Sequence, residues 1–360
     1  MTVISPEPTR SPESRSISES LAGKRLPRWA PLATAVAAVV IGYGIGAAGS
    51  IFGLAWFVVA ALLFLIGQTA WSFAVEGRRH AIDRLATTLI YTCFIVALAP
   101  LLSVLLSVIT KGAGVVFTDF PSFFTETMRN VSPRKPGGGV AHAIVGTIEQ
   151  VAISAVIAVP IGIMAAVYLV EYGRGRMAKW VSFFVDVMTG VPSIVAGLFI
   201  YTFWILVLGF DRSGFAAALS LVILMIPVIV RTTEEMLKIV PNDLREASYA
   251  LGIPKWKTIV RIVLPTALSG IITGVMLAVA RVAGETAPLL LTTFLSQSMN
   301  WNPFSGPQAA LPTFVWDQIS NGTDASVARA WGGAFVLILF VMIFYIGARL
   351  LARVFAPKAR

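Results

Sequence analysis

An arginine and a glutamate four residues apart, Arg281 and Glu285, interrupt an apolar stretch long enough to cross a membrane, Leu268–Leu291. On a helix that spacing stacks the two one turn apart, on one face. A charged side chain at the centre of a membrane helix costs roughly 2.5–3.5 kcal/mol, so such groups face protein or water. The pair is either a self-satisfied lock for helix packing or a polar station on a solute path. One carboxylate leaves donors over on a guanidinium that offers five in a planar fork, and that fork suits an oxyanion. The path reading is therefore the stronger. Thr286 adds a hydroxyl beside Glu285.

Covalent and metal chemistry find no comparable support. No serine sits in a Gly-x-Ser-x-Gly setting, and His-Glu-x-x-His is absent. The only histidines, His80 and His142, have no cysteine or carboxylate at ligand spacing, so no metal site is expected. There is no Gly-x-x-x-x-Gly-Lys-Ser/Thr loop; Gly173–Lys179 has the wrong spacing and Trp180 follows its lysine. The chain should not bind ATP by such a loop. Gly44–Gly49 formally matches a dinucleotide fingerprint, but it lies inside a span with no preceding strand. Gly42, Gly46, Gly49 and Gly53 read instead as a surface for close helix packing. The sequence thus offers no catalytic residue and no cofactor of its own.

The second informative stretch, Glu246–Pro265, is polar and of mixed charge between two apolar spans. Asn242 is an N-cap candidate with Asp243 in the first turn of a short helix. Gly252 is placed to end that helix in a left-handed conformation, and Pro254 bars its continuation. A second short helix from Lys255 then reaches Leu264-Pro265, where proline resets the chain at the mouth of the next span.

The elements that hold these residues are membrane helices. The chain is 57% hydrophobic and 13% charged, and runs of apolar residues long enough to cross a bilayer recur. The fold class is an all-α polytopic membrane protein. Eight spans are expected, at Pro31–Ala48, Ile51–Val75, Leu85–Ile109, Ala143–Val170, Val181–Leu208, Phe215–Val230, Leu268–Leu291 and Trp331–Leu351. The sixth is short and should extend past both ends. Of 28 lysines and arginines, 20 fall on alternate segments that include both tails and the Glu246 loop. Positive residues favour the cytoplasm, so both termini and that loop are assigned there. The net charge of +10 therefore reports topology and not nucleic acid.

The remaining features divide the chain. Residues 1–30 read as a disordered cytoplasmic tail, 31–84 as an added N-terminal hairpin, and 85–140 as a third helix with an outer segment. Residues 141–350 read as the core and 351–360 as a basic tail. Phe117, Phe120, Phe123 and Phe124 are expected to anchor a short helix at the outer interface, as are Trp301, Phe304 and Trp316 farther on. Cys93 reads as a buried inert thiol. Glu149 should lie near the outer end, and Asp186 is as readily structural as functional. Pro192, Pro227 and Pro288 should each kink or open a span, with Gly190 and Pro192 as a candidate hinge.

Glu246-Ala247-Ser248, three residues, Gly252, nine residues, Ile262, one residue, Leu264-Pro265 resembles the EAA loop of ABC-importer permeases, with Ser248 in place of the third small residue. Arg281–Thr293, Pro192-Ser-Ile-Val, Gly197-Leu-Phe and Ala330-Trp331-Gly resemble the PstA-type permease subunit of bacterial phosphate ABC importers. The resemblance implies a type I ABC-importer fold, with a five-helix core behind extra N-terminal helices, in the bacterial plasma membrane. It implies a heterodimer with a PstC-like permease and two PstB-like ATPase subunits, which bind ATP and Mg. A PstS-like phosphate-binding protein would work outside. It assigns Arg281 to the phosphate path, with Glu285 and Thr286 in the same motif. It assigns Glu246, Ala247, Ser248, Gly252 and Pro265 to coupling with the ATPase. A permease for phosphonate, sulfate or molybdate, or a channel or scaffold, are the alternatives.

Overall fold

In the computed structural model, residues 26–48 and 54–355 are described. The expected tails therefore fall largely outside the described residues, as do Gly49 and Gly53. All regular structure among the described residues is helical: α1 (Ala30–Ala48), α2 (Leu54–Glu76), α3 (Arg78–Thr118), α4 (Ser122–Thr125), α5 (Ala141–Tyr172), α6 (Arg176–Thr189), α7 (Ser193–Val207), α8 (Gly214–Ile239), α9 (Asn242–Ala250), α10 (Lys255–Ala283), α11 (Ala287–Thr292), α12 (Leu311–Asn321) and α13 (Asp324–Phe355). Contacts group the chain into two compact units, Met1–Leu105 and Leu106–Arg360.

In the first unit, α1 and α2 pack closely where Gly42 leaves no room for a side chain against Ala60, as the small-residue pattern predicts. Thr34 donates to Gln68 across the pair at 2.6 Å. At its foot the Glu76 carboxylate is almost fully enclosed. It accepts from Arg84 at 2.6 and 2.7 Å, from Ser72 and from the Leu26 amide. The expectation for Cys93 is overturned: the thiol is exposed on α3. An apolar helix surface that meets lipid needs no protein cover, so apolar context alone does not imply burial.

The second unit is built around α8, whose buried face carries Ala217, Leu221, Met225 and Ile229. Helices α5 and α8 run parallel. Ser154 of α5 donates to the Ala218 carbonyl at 3.1 Å, Gly162 lies against Ile229, and Glu171 at the foot of α5 meets Arg245 just beyond α8. Two parallel neighbours require the chain to return across the bundle between them. The pair α6–α7, bent by 106° at residues 190–192, is that return. With seven other helices long and apolar enough to cross a membrane, the fold reaches the expected eight crossings. The sixth does extend, to Gly214–Ile239.

Helix α10 runs back against α8, with Gly270 on Met236 and Gly274 on Thr232. Helix α13 begins at the end where Arg329 donates to the carbonyls of Pro133, Lys135 and Gly137. Phe123 departs from the interfacial expectation. It is fully buried and packs where Gly332 has no side chain, while Phe117 and Phe120 stay exposed. A four-residue helix cannot turn all its rings outward, and the covered end of α13 supplies a pocket for one. Trp301, Phe304 and Trp316 are exposed as expected. Of the kink or opening expected at Pro227, no opening forms: α8 runs through it.

An ion pair holds the polar loop to this unit. Arg245 of α9 donates to Glu171 at 2.8 and 3.0 Å and to the carbonyls of Val240 and Leu237. The two side chains are 13% and 5% exposed. Removing one partner of a buried pair strands the other charge and costs about 3–5 kcal/mol. Arg245→Met should therefore lower the thermal midpoint of the purified protein sharply, and adding Glu171→Gln should restore part of it. An unchanged midpoint in Arg245→Met would refute the role of the pair.

Candidate functional site

Two interrupted crossings meet inside the second unit. The first break is at Gly190-Val191-Pro192. Gly190 caps α6, and Pro192 stands extended with ψ 140° before α7. The residue before a proline avoids the helical region, which is why the turn falls there. The second break follows Ala283. Gly284 caps α10, and Pro288 sits in the first turn of α11. Gly197 lies so close to Pro288 that a Cβ would strike the proline backbone. Helices α7 and α11 therefore pack directly on each other. The Ser213 amide ties the far end of α11 to the start of α8 through the Thr292 carbonyl, at 3.3 Å.

This places Arg281 deep in the bundle. The pairs Gly270–Met236 and Gly274–Thr232, continued at a helical rise, set it level with about Met225, near the middle of α8. Its side chain is exposed on this single chain. Among the described residues it makes no hydrogen bond and no ion pair within 4.0 Å. The expected stacking with Glu285 is corrected. Helix α10 ends at Ala283, so Glu285 lies in the break and does not follow one turn above Arg281. Glu285 is half-buried, held by its own amide to the Val282 carbonyl at 3.1 Å. Thr286 stands at the N-cap of α11, and its side chain makes no capping bond. The span expected over Leu268–Leu291 is thus a long helix and a short one with a gap. Gly284 followed by Pro288 carries the signature of a helix end and restart. The self-satisfied lock is excluded, because the two charges are not paired.

What this arrangement can do follows from its parts. A guanidinium without a carboxylate partner, at mid-thickness, keeps its donors for something that arrives. The amide end of α7 opens one turn before Gly197 and adds partial positive charge. Irregular backbone at membrane depth is tolerated where it is covered by protein or lines a watery space.

Several other ionic residues bind one helix to another. Asp186 accepts from Arg231, which also donates to Glu234 at 2.5 Å and to Ser182 at 3.0 Å, and so ties α6 to α8. Sequence reasoning missed Arg231 and Glu234, although their spacing of three on one helix was a readable signal. Glu149 lies near the start of α5, at the end of the bundle away from the polar loop. It accepts from Gln308 at 2.5 Å, while Gln308 also receives Gln150 and exchanges bonds with Thr293. No group of three or more His, Cys, Asp or Glu side chains converges as for a metal among the described residues.

The polar loop forms an elbow at the opposite end. Glu246 and Ala247 are exposed on α9, while Ser248 is buried and hydrogen-bonded to Thr258 at 2.7 Å. Gly252 has φ +71°, the left-handed conformation expected. Asn242 is the first residue of α9 and not its cap; Pro241 occupies that position. Pro265 does not reset the chain either. A π turn at Ile259–Val263 widens the backbone ahead of it, and one helix runs from Lys255 to Ala283. The wider turn relieves the clash of a proline ring with the carbonyl four residues back.

Comparison with known proteins places this architecture. A family model described as binding-protein-dependent transport system inner membrane component matches residues 158–360. The phosphate transport system permease protein PstA 1 of Mycobacterium tuberculosis is 49% identical over 283 residues, which cover 79% of this chain and 91% of the relative. The PstA of Yersinia pestis is 40% identical over 285 residues, or 79% of this chain and 93% of the relative. A bacterial alginate ABC transporter, solved with an alginate-pentasaccharide-bound periplasmic protein, aligns with a TM-score of 0.57 at 14% identity. That alignment covers 77% of this chain and 97% of the other, and it shows the fold alone. The chain therefore belongs to the binding-protein-dependent transport system inner membrane component family, as a multi-pass permease subunit of the PstA type.

Proposed function

We propose that this permease moves inorganic phosphate inward and that Arg281 is the station the anion meets at mid-membrane. The observation that carries the reading is a guanidinium with no partner among the described residues, one turn before the helix break at 284–286. A single chain leaves Arg281 on an open face, which fits one half of a path completed by a PstC-like permease. The names of the Mycobacterium and Yersinia relatives supply phosphate as the solute. The family resemblance assigns ATP and Mg to two copies of a PstB-like ATPase, and the lack of a Gly-x-x-x-x-Gly-Lys-Ser/Thr loop in this sequence fits that division. The exposed Glu246 elbow is the surface offered to that ATPase. A PstS-like binding protein would deliver phosphate at the opposite end. The charge bias of the loops supports a cytoplasmic elbow and cytoplasmic termini.

Arg281→Ala in the full complex, reconstituted in liposomes, should cut ATP-dependent phosphate uptake by about 100-fold, equivalent to about 2.7 kcal/mol of barrier. Arg281→Lys should keep part of the activity through its charge. Normal uptake in the alanine variant would sink the assignment, and uptake of sulfate in preference to phosphate would move it to another oxyanion.

Gly252→Pro should release the ATPase during copurification, because proline cannot adopt φ +71°. Glu246→Ala should weaken the same association without lowering the thermal midpoint of the chain. Retention of the ATPase by both variants would remove the elbow from the coupling surface.

A further inference from the structure

The segment joining α7 to α8 carries a second cation that the reading above does not use. Arg212 is half-buried, with its guanidinium carbon 5.2 Å from the centre of the Tyr201 ring and 4.9 Å from that of Phe294. Its only hydrogen bond among the described residues is a long one, 3.4 Å, to the Tyr201 hydroxyl. Among the described residues no carboxylate lies within 4.0 Å, the neighbouring Asp211 included. Phe294 reaches this position from a backbone with φ +67°. An aromatic residue in the left-handed region is strained, and such strain gathers at functional sites.

We propose that Arg212 is a second oxyanion station, at the outer mouth of the path, and that it receives phosphate before Arg281 does. The inference rests on the phosphate reading and deepens it. Rings beside a guanidinium displace water from its planar faces and leave the N–H edge as the route for solvation. With no carboxylate on that edge, a tetrahedral oxyanion is the partner that fits its fork, and the Tyr201 hydroxyl offers a further donor. The nearby Thr292 and Thr293 hydroxyls are already committed, to the carbonyls of Pro288 and Gln308. The station therefore reduces to Arg212 and Tyr201.

Its place in the bundle suits that order. Arg212 lies just before the first residue of α8, at the end opposite the Glu246 elbow. Arg281 is level with about Met225, so the two guanidiniums are about 20 Å apart along the helix axis. Positive charge at a mouth raises the local concentration of an anion and steers it inward. The amide of Ser213, next to Arg212, bonds to the end of α11, whose other end follows Glu285 and Thr286. The outer station and the mid-membrane break thus share one short helix.

The simpler alternative is a cation–π clasp that only pins the connecting segment. Phosphate uptake and ATP hydrolysis, measured together in liposomes holding the full complex and the loaded binding protein, separate the two. Arg212→Ala should lower phosphate moved per ATP hydrolysed by about tenfold at an unchanged thermal midpoint. Arg212→Lys should keep more than half of the wild-type ratio, since an ammonium retains the charge without the planar fork. Tyr201→Phe should lower the ratio two- to threefold. Wild-type uptake in Arg212→Ala, an equal fall of uptake and hydrolysis, or a lysine variant as impaired as alanine would overturn the station. Failure of wild-type uptake, or normal uptake in Arg281→Ala, would instead overturn the transport reading beneath it.

Discussion

Hydrocarbon supplies no donors and no acceptors, so a chain that crosses it must satisfy its own backbone. Most of this protein obeys that constraint with unbroken helices, and even Pro100, Pro160 and Pro227 are absorbed into helices that continue past them. The constraint is relaxed at two places only among the crossings of the second unit, residues 190–192 and 284–286. Those two interruptions are brought together through Gly197 and Pro288. Each break would be costly against lipid. Together they make a region where backbone ends, a threonine and an unpaired guanidinium share mid-membrane depth.

The ends of the unit are treated differently from its middle. At the end away from the elbow Gln308 joins α5 and the segment after α11 through Glu149, Gln150 and Thr293. At the opposite end Arg245, Glu171 and Lys255 bind the elbow to the foot of α5. Between them, Arg231 spans α6 and α8 through Asp186 and Glu234. Every one of these charged or amide groups has a partner, whereas Arg281 has none among the described residues. Satisfied polar clusters fix geometry, while an unsatisfied cation in a low-dielectric setting waits for a mobile anion. The contrast separates the groups that tie the helices together from a cation that the chain leaves unpaired among the described residues.

The reach of sequence reasoning can be seen residue by residue. Hydropathy located the crossings, and the extension of the short sixth span to Gly214–Ile239 was foreseen. Gly252 was readable as a left-handed terminator because glycine is the residue that takes φ +71° without strain. The pairing of Arg281 with Glu285 was misread, because a spacing of four implies contact only if the helix continues. Here it stops at Ala283. Phe123 was misjudged because its short helix turns one ring into a pocket beside Gly332, and Cys93 for a different reason. In a helix apolar on every side, no periodicity tells which face meets protein and which meets lipid.

Composition and local chemistry were enough to establish an all-helical membrane protein with a polar loop and an arginine inside an apolar span. Those properties follow from the cost of charge and bare backbone in hydrocarbon, which each segment incurs wherever it sits. Tertiary structure alone decided that α5 and α8 are parallel, that α6 and α7 make one crossing, and that the helices after the two breaks pack together at Gly197 and Pro288. It also decided which charges are paired. Such facts depend on residues far apart in the chain arriving at the same depth, and no local propensity encodes that distance.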